Sequence, residues 1–253
     1  MEIIRYKKLN NNIYEVELNN KVKIKLYDDV IVKYNLLLSK HIDNNKLEEI
    51  IKYNNSLEAY NTCIKYISKK NRCEKEIRDY LEKKKYSNSI IDTTINRIIN
   101  NGYLNREVYI KSYINDRYNL SIDGPIKIAN NLIKLGFTSE EFSKYLDLDF
   151  TDKVSKIINK KVKSNHKLSN NMLKSNITNY LIKEGYPKEL FIDLLGHIKV
   201  DNKDYLINDY NKLIKKYSNK YDGNKLKYFI KNKLYSKGYN EEEIEEIIHE
   251  ELL

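Results

Sequence analysis

The sequence predicts a mainly α-helical protein: an elongated array of tandem three-helix repeats behind a small N-terminal cap of β-hairpin and helix. Two observations carry this. With only seven Gly and two Pro in 253 residues, the chain has few breakers for a sandwich or barrel. More telling, one apolar frame recurs four times. Around Tyr86 it places Ile77, Leu81, Ile91 and Ile95, nine and five residues before and five and nine after. Around Phe137 stand Ile128, Leu132, Phe142 and Leu146, and around Tyr186 stand Ile177, Leu181, Phe191 and Leu195. Around Tyr239 stand Ile230, Leu234, Ile244 and Ile248. The reference aromatics lie 51, 49 and 53 residues apart, and self-similarity at a fixed period of this size marks a helical array.

Spacings of four, five and nine around a short break put apolar side chains on one face of each of two helices. The break reads Gly-aromatic in three copies: Gly136-Phe137, Gly185-Tyr186 and Gly238-Tyr239. Glycine past a helix end takes the left-handed conformation that closes the last turn, and the aromatic packs back on the helix. Tyr86, Phe137, Tyr186 and Tyr239 are therefore expected as core pins. The first copy has Lys85 in place of glycine, so its turn should be strained or closed differently. Ser87 or Asn88, Thr138 or Ser139, and Asn240 are the expected caps of the following helices, and Pro187 sits where a first-turn proline is tolerated.

Residues 1–27 alternate instead with period two. Tyr14, Val16 and Leu18, then Val22, Ile24 and Leu26, predict a hairpin turning at Asn19-Asn20, with Ile3–Lys7 as a third strand. A hairpin alone is marginal, so it should lean on the apolar segment Val30–Leu38 after a cap at Asp28-Asp29. A helix is expected over 44–54 and a separate one over 57–69, the first of repeat one. Repeat two opens with a helix over 107–119, repeat three near Lys153 and repeat four near Lys203. Segments 164–171 and 218–224, rich in Asn and Ser, are the expected loops. The domain division is a cap over 1–55 and repeats over 56–104, 105–149, 150–200 and 201–253.

Charge narrows the function. The net charge is +10, yet residues 241–253 hold seven acids and no Lys or Arg. The rest sets 46 basic residues against 29 acids, +17, which attracts nucleic acid or an acidic protein surface. Lys69, Lys70, Arg72, Lys75 and Arg78 cluster at the entry to the second helix of repeat one, with Arg117 and Lys127 as further candidates and Lys160, Lys161, Lys163 and Lys167 extending the charge. The acidic stretch Glu241–Glu251, with Ile244, Ile247, Ile248 and Leu252, reads as a closing helix with its apolar face down. A sharper alternative has it folding over the basic surface and competing with an anionic partner.

No catalytic constellation is present. His41, His166, His197 and His249 are scattered without metal-ligand spacing, and there is no phosphate-binding glycine loop. The expectation is a protein that is not an enzyme and needs no cofactor. No run of 18 apolar residues spans a membrane and no signal-peptide core opens the chain. Cys63 and Cys73 are too few for a disulfide framework; both should be reduced and intracellular, Cys63 in the core and Cys73 exposed.

Three runs carry a resemblance: KKNRCEKEIRDYLEKKKY (69–86), INNGYLNREVYIKSYINDR (99–117) and GPIKIANNLIKLGF (124–137). They contain an R-x-E-x-E-[IL] start at Arg72–Ile77, an N-G-Y-[LI]-[ND] link at Asn101–Asn105, a Y-x-x-x-Y-[IV]-x-x-R helix at Tyr109–Arg117 and a G-P-x-x-I turn at Gly124–Ile128. In order and spacing, residues 57–147 resemble the RecX family of recombinase regulators. The hairpin segment is similar to that of longer members, and residues 150–253 match mainly through the repeat frame. The resemblance implies a cytoplasmic, monomeric, non-enzymatic protein forming an elongated curved array with a basic concave surface. Members bind RecA-type recombinase filaments on single-stranded DNA in the filament groove and restrain filament growth, ATP hydrolysis and strand exchange; some bind single- or double-stranded DNA directly. Lys85 and a complete fourth cassette depart from short members. The rival readings are a DNA-binding module acting without recombinase and a helical adaptor for an acidic protein.

Overall fold

The computed structural model describes residues 1–10, 12–165 and 167–250. The chain falls into two compact units, Met1–Ser112 and Tyr113–Leu253.

The first unit opens with a three-stranded antiparallel meander, β1 (Ile3–Lys8), β2 (Ile13–Leu18) and β3 (Lys23–Tyr27), in the order β1-β2-β3. The β2–β3 turn differs in detail from expectation. The positive φ, 64°, falls on Lys21 rather than on the asparagines, and the Asn20 side-chain oxygen accepts from the Val22 N–H at 3.1 Å. Helix α1 (Asp28–Lys33) follows, with Asp28 and Asp29 in its first turn rather than as caps. Ile3, Val16, Leu18, Leu26, Val30, Ile31 and Leu36 form one core with Ile50 and Leu57, so the sheet leans on the segment expected.

The two helices expected over 44–54 and 57–69 are one, α2 (Asn44–Ile67), and the boundary at 55/56 falls inside it. The side chains of Asn54, Asn55 and Ser56 can compete with helix backbone hydrogen bonds. Asn54 is instead buried and bound to the sheet edge. Its side-chain oxygen accepts from Tyr27 N–H at 3.0 Å and its amide donates to the Lys25 carbonyl at 3.2 Å, so tertiary bonds override local preference. Helices α3 (Glu74–Lys83) and α4 (Asn88–Asn100) complete repeat one around Ala59, Cys63, Ile77, Leu81, Ile91, Ile95 and Ile98.

Helix α5 (Arg106–Leu120) contains the division between the units. The second unit continues with α6 (Pro125–Lys134), α7 (Ser139–Leu146), α8 (Thr151–Lys163) and α9 (Asn170–Lys183). The second cassette helix of repeat three is broken into a 3-10 turn (Lys188–Leu190) and the short α10 (Ile192–Gly196). Pro187 is the N-cap of that turn, outside the helix, and Gly196, a poor helix former, stands where copy one continues with Asn96. Last come α11 (Lys203–Tyr217), α12 (Gly223–Ser236) and α13 (Glu241–Glu250), closed around Leu206, Tyr210, Ile230, Leu234, Tyr239, Ile244, Ile247 and Ile248.

Every apolar frame position is buried except Leu146 and the reference Tyr86. Tyr86 is a half-buried pin, whereas Phe137, Tyr186 and Tyr239 are at most 3% exposed. The four turns are closed identically. In each, the aromatic N–H bonds the carbonyl five residues back and the residue before it bonds the carbonyl three back: Tyr86 to Leu81 at 3.2 Å and Lys85 to Glu82 at 2.8 Å, as Tyr186 to Leu181 at 2.9 Å and Gly185 to Ile182 at 3.0 Å. Lys85 adopts φ 65°, so the first turn is strained as expected but not closed differently.

Candidate functional site

The basic entry to α3 is built on the turn after α2. Lys69 and Lys70 stand exposed in that turn, and among the described residues neither makes an ion pair. Arg72 is held inward. Its guanidinium lies 4.0 Å from the centre of the Tyr66 ring, which stacks on Tyr80 at 4.0 Å, and it pairs with Glu76 at 3.1 Å. Its Nε is buried and has no hydrogen-bond partner among the described residues. Glu76 also accepts from the Cys73 N–H at 3.0 Å, completing a capping box at the start of α3. The R-x-E-x-E pattern is thus a structural clasp. Cys73 is 5% exposed, against the expectation of exposure; as N-cap it faces inward beside Tyr109, and burial pushes both the thiol and the phenol up. Cys63 is a core residue, its thiol pushed up to about 12 by burial.

Arg78 ties α3 to α4 through Asp92 at 2.8 Å, with Glu74 at 3.7 Å, and Asp92 first among these holds it above the usual arginine range. Lys75 is exposed one turn along. Within the second unit, Arg117 pairs with Asp123 at 3.5 Å, and Lys127 pairs with Asp123 at 2.8 Å and Glu184 at 2.6 Å. Asp123 and Glu184 are nearly buried and raise the Lys127 ammonium well above the usual lysine range. Lys69 and Lys70 therefore offer outward charge, while Arg72, Arg78, Arg117 and Lys127 are engaged within the fold.

Lys127 belongs to a junction the sequence did not announce. The first N–H groups of α6 have no partner within their own helix. Gly124 donates to the Glu184 carbonyl at 2.7 Å and Ile126 to the Gly185 carbonyl at 3.0 Å, at the end of α9. The Tyr186 hydroxyl donates to the Ile122 carbonyl at 3.0 Å. A Cβ on Gly124 would stand 2.5 Å from the Gly185 backbone, and one on Gly185 2.5 Å from the Lys127 backbone. A second junction repeats the plan. The Ser169 hydroxyl, at the start of α9, donates to the Lys237 carbonyl at 2.7 Å at the end of α12, and a Cβ on Gly238 would stand 2.8 Å from that hydroxyl oxygen. Each turn glycine there serves a left-handed φ and a close approach at once. Gly124-Pro125 shapes this junction, with Pro125 in the first turn of α6.

The acidic helix α13 lays its isoleucines into the last core. Glu241 and Glu245 both pair with Lys231 of α12, so its acids cover one lysine of its own repeat. His166 and residues 251–253, Leu252 among them, lie outside the described residues. Among the described residues, no three His, Cys, Asp or Glu side chains could hold a metal ion together, and no helix is long and apolar enough to cross a membrane.

Comparison with known proteins agrees with this architecture. The family description "RecX, first three-helix domain" matches residues 59–97. Regulatory protein RecX of Streptococcus agalactiae serotype Ia is 29% identical over the whole length of both chains. Its namesake from Streptococcus pyogenes serotype M1 is 28% identical over 96% of this chain and 97% of its own. A crystal structure of regulatory protein RecX shares the fold, with a TM-score of 0.58 and 16% identity over 75% of this chain and 96% of that one. Repeats, capped sheet and full-length similarity agree: the chain is similar from end to end to proteins named regulatory protein RecX.

Proposed function

We propose that this chain is a non-catalytic regulator of recombination that binds RecA-type recombinase filaments on single-stranded DNA. Bound there, it restrains filament growth, ATP hydrolysis and strand exchange. The observation that carries the reading is similarity over the entire chain to proteins named regulatory protein RecX, from the N-terminal sheet through the fourth repeat. A series of repeats suits this task because each offers a similar surface, so one chain can engage several protomers of a repeating partner. Regulation then follows from occupancy alone. The protein acts in the cytoplasm, as a monomer, with no cofactor.

The partner-facing charge in this reading centres on Lys69 and Lys70, with Arg72, Arg78, Arg117 and Lys127 holding the surrounding surface in shape. The test is recombinase ATP hydrolysis on single-stranded DNA with this chain titrated in. Hydrolysis and mean filament length should both fall as the chain is added, and Lys69→Glu with Lys70→Glu should weaken the effect. No change in either quantity at any ratio overturns the reading.

A further inference from the structure

We propose that the cavity between α1, α2 and α4 of the first unit is a binding site for a free mononucleotide, a small ligand joining a planar ring to a phosphate. The cavity measures about 260 Å³. Lys33 and Tyr34, at the end of α1, form one wall, Glu49, Lys52 and Tyr53 of α2 form a second, and Thr93 of α4 closes it.

Each part of such a ligand has its counterpart here. The Tyr34 and Tyr53 rings meet edge to face with centroids 5.9 Å apart, and offer aromatic surface for a planar ring to pack on. The charge favours an anion. Two ammonium groups line the cavity against one carboxylate, and among the described residues neither Lys33 nor Lys52 makes an ion pair. The Glu49 carboxylate already accepts from the Tyr34 hydroxyl at 3.0 Å. Lys33 lies instead 3.4 Å from the centre of the Tyr53 ring. A cation–π contact open to water is weak, so an incoming ring can take that face, and the flexible lysine stem keeps the ammonium within reach of a phosphate. The hydroxyls of Ser56 and Thr93 donate to the Tyr53 and Ser89 carbonyls at 2.9 and 2.8 Å. Their protons are spent, and their oxygens remain as acceptors for the N–H and O–H groups of a base and sugar. Compensation of a helix dipole explains Lys33 in the last turn of α1, but not Lys52, well inside α2. The volume suits one nucleotide, whereas a strand would leave most of itself outside. No group is placed to react with the ligand, so it is sensed rather than consumed.

The test is isothermal titration calorimetry of the full chain with AMP, GMP, CMP and UMP in turn, without recombinase. At least one should bind, at one site per chain. For that nucleotide, a Lys33→Gln/Lys52→Gln variant should bind roughly tenfold more weakly, as two exposed charge contacts are lost, while Lys69→Gln/Lys70→Gln should bind as wild type does. The matching nucleoside and inorganic phosphate, each offering half of the contacts, should both bind far more weakly than the nucleotide. Saturating the chain with a 5′-phosphorylated oligothymidylate should leave nucleotide binding unchanged. Circular dichroism establishes that the double variant folds; should it not, Lys52→Gln alone should weaken binding about threefold. Failure of wild type to bind any of the four nucleotides would overturn the proposal, and so would wild-type affinity in the double variant. Inorganic phosphate binding as tightly as the nucleotide, or loss of nucleotide binding in the oligonucleotide-saturated chain, would overturn it as well. A chain that slows recombinase ATP hydrolysis yet binds no nucleotide leaves the proposed function standing and removes this site alone.

Discussion

The first and third cassette turns, one in each unit, use the same backbone bonds under different constraints. Lys84-Lys85-Tyr86 ends α3 with Lys85 exposed at φ 65° and Tyr86 half-buried. Glu184-Gly185-Tyr186 ends α9 with φ 87° at the glycine, Tyr186 1% exposed and the N-terminus of α6 closed against it. Left-handed backbone alone tolerates a lysine at a moderate cost. Left-handed backbone within 2.5 Å of another helix tolerates only glycine. Gly136, where a Cβ would meet nothing within 4 Å, falls under the first constraint. The difference separates what a helix end needs from what a junction between repeats needs.

Substitutions can break or sharpen this contrast. Gly185→Ala should cost on the order of 4 kcal/mol, joining left-handed strain to overpacking, while Gly136→Ala should cost about 1–2 kcal/mol; urea unfolding followed by circular dichroism gives both. Equal costs would abolish the distinction. By the same measurement Tyr186→Ala should cost about 3–5 kcal/mol as a buried aromatic, and Tyr86→Ala about 2 kcal/mol. Lys127→Ala leaves Asp123 and Glu184 without their cation. It should cost about 2 kcal/mol, below the range for a fully buried pair because Lys127 is 39% exposed. Lys85→Gly should stabilise by about 1 kcal/mol, since glycine relieves the left-handed strain.

The smallest effect is alkaline. Burial raises Tyr186 and Tyr239 above the usual tyrosine range, and Asp123 with Glu184 raises Lys127. Groups raised in the folded state stabilise fully below their unfolded pKa and lose that contribution above it. Stability should therefore hold up to about pH 10 and decline beyond it. Absorbance titration of tyrosinate should show a late fraction, with Tyr186 and Tyr239 in it, appearing only with unfolding. A single transition in fully folded protein would contradict this.

The apolar frame was legible because period and burial are the same fact viewed twice: Ile77, Leu81, Ile91 and Ile95 recur because each copy has the same core. A cap at Thr138 or Ser139 was legible for a similar reason, being local; the structure puts it at Thr138, whose N–H donates to Glu141 at 2.8 Å. Long-range partnerships were not. Arg72 and Lys127 read as outward charge because nothing in the sequence links Lys127 to Glu184, 57 residues on. Asn54 misled in the opposite direction: locally a helix breaker, it is retained in α2 by bonds to β3. The cavity beside Tyr53 was not legible either, because its walls come from α1, α2 and α4.

The two glycine junctions also bear on how such a chain changes length. In each, the start of one cassette's first helix receives the turn that ends the corresponding helix of the next: Gly124 with Gly185, Ser169 with Gly238. A segment of one period, copied in place, carries both halves of the joint and can be inserted without inventing a new contact. Duplication and loss of whole segments are then nearly neutral for folding, whereas a change to one half alone must await its counterpart.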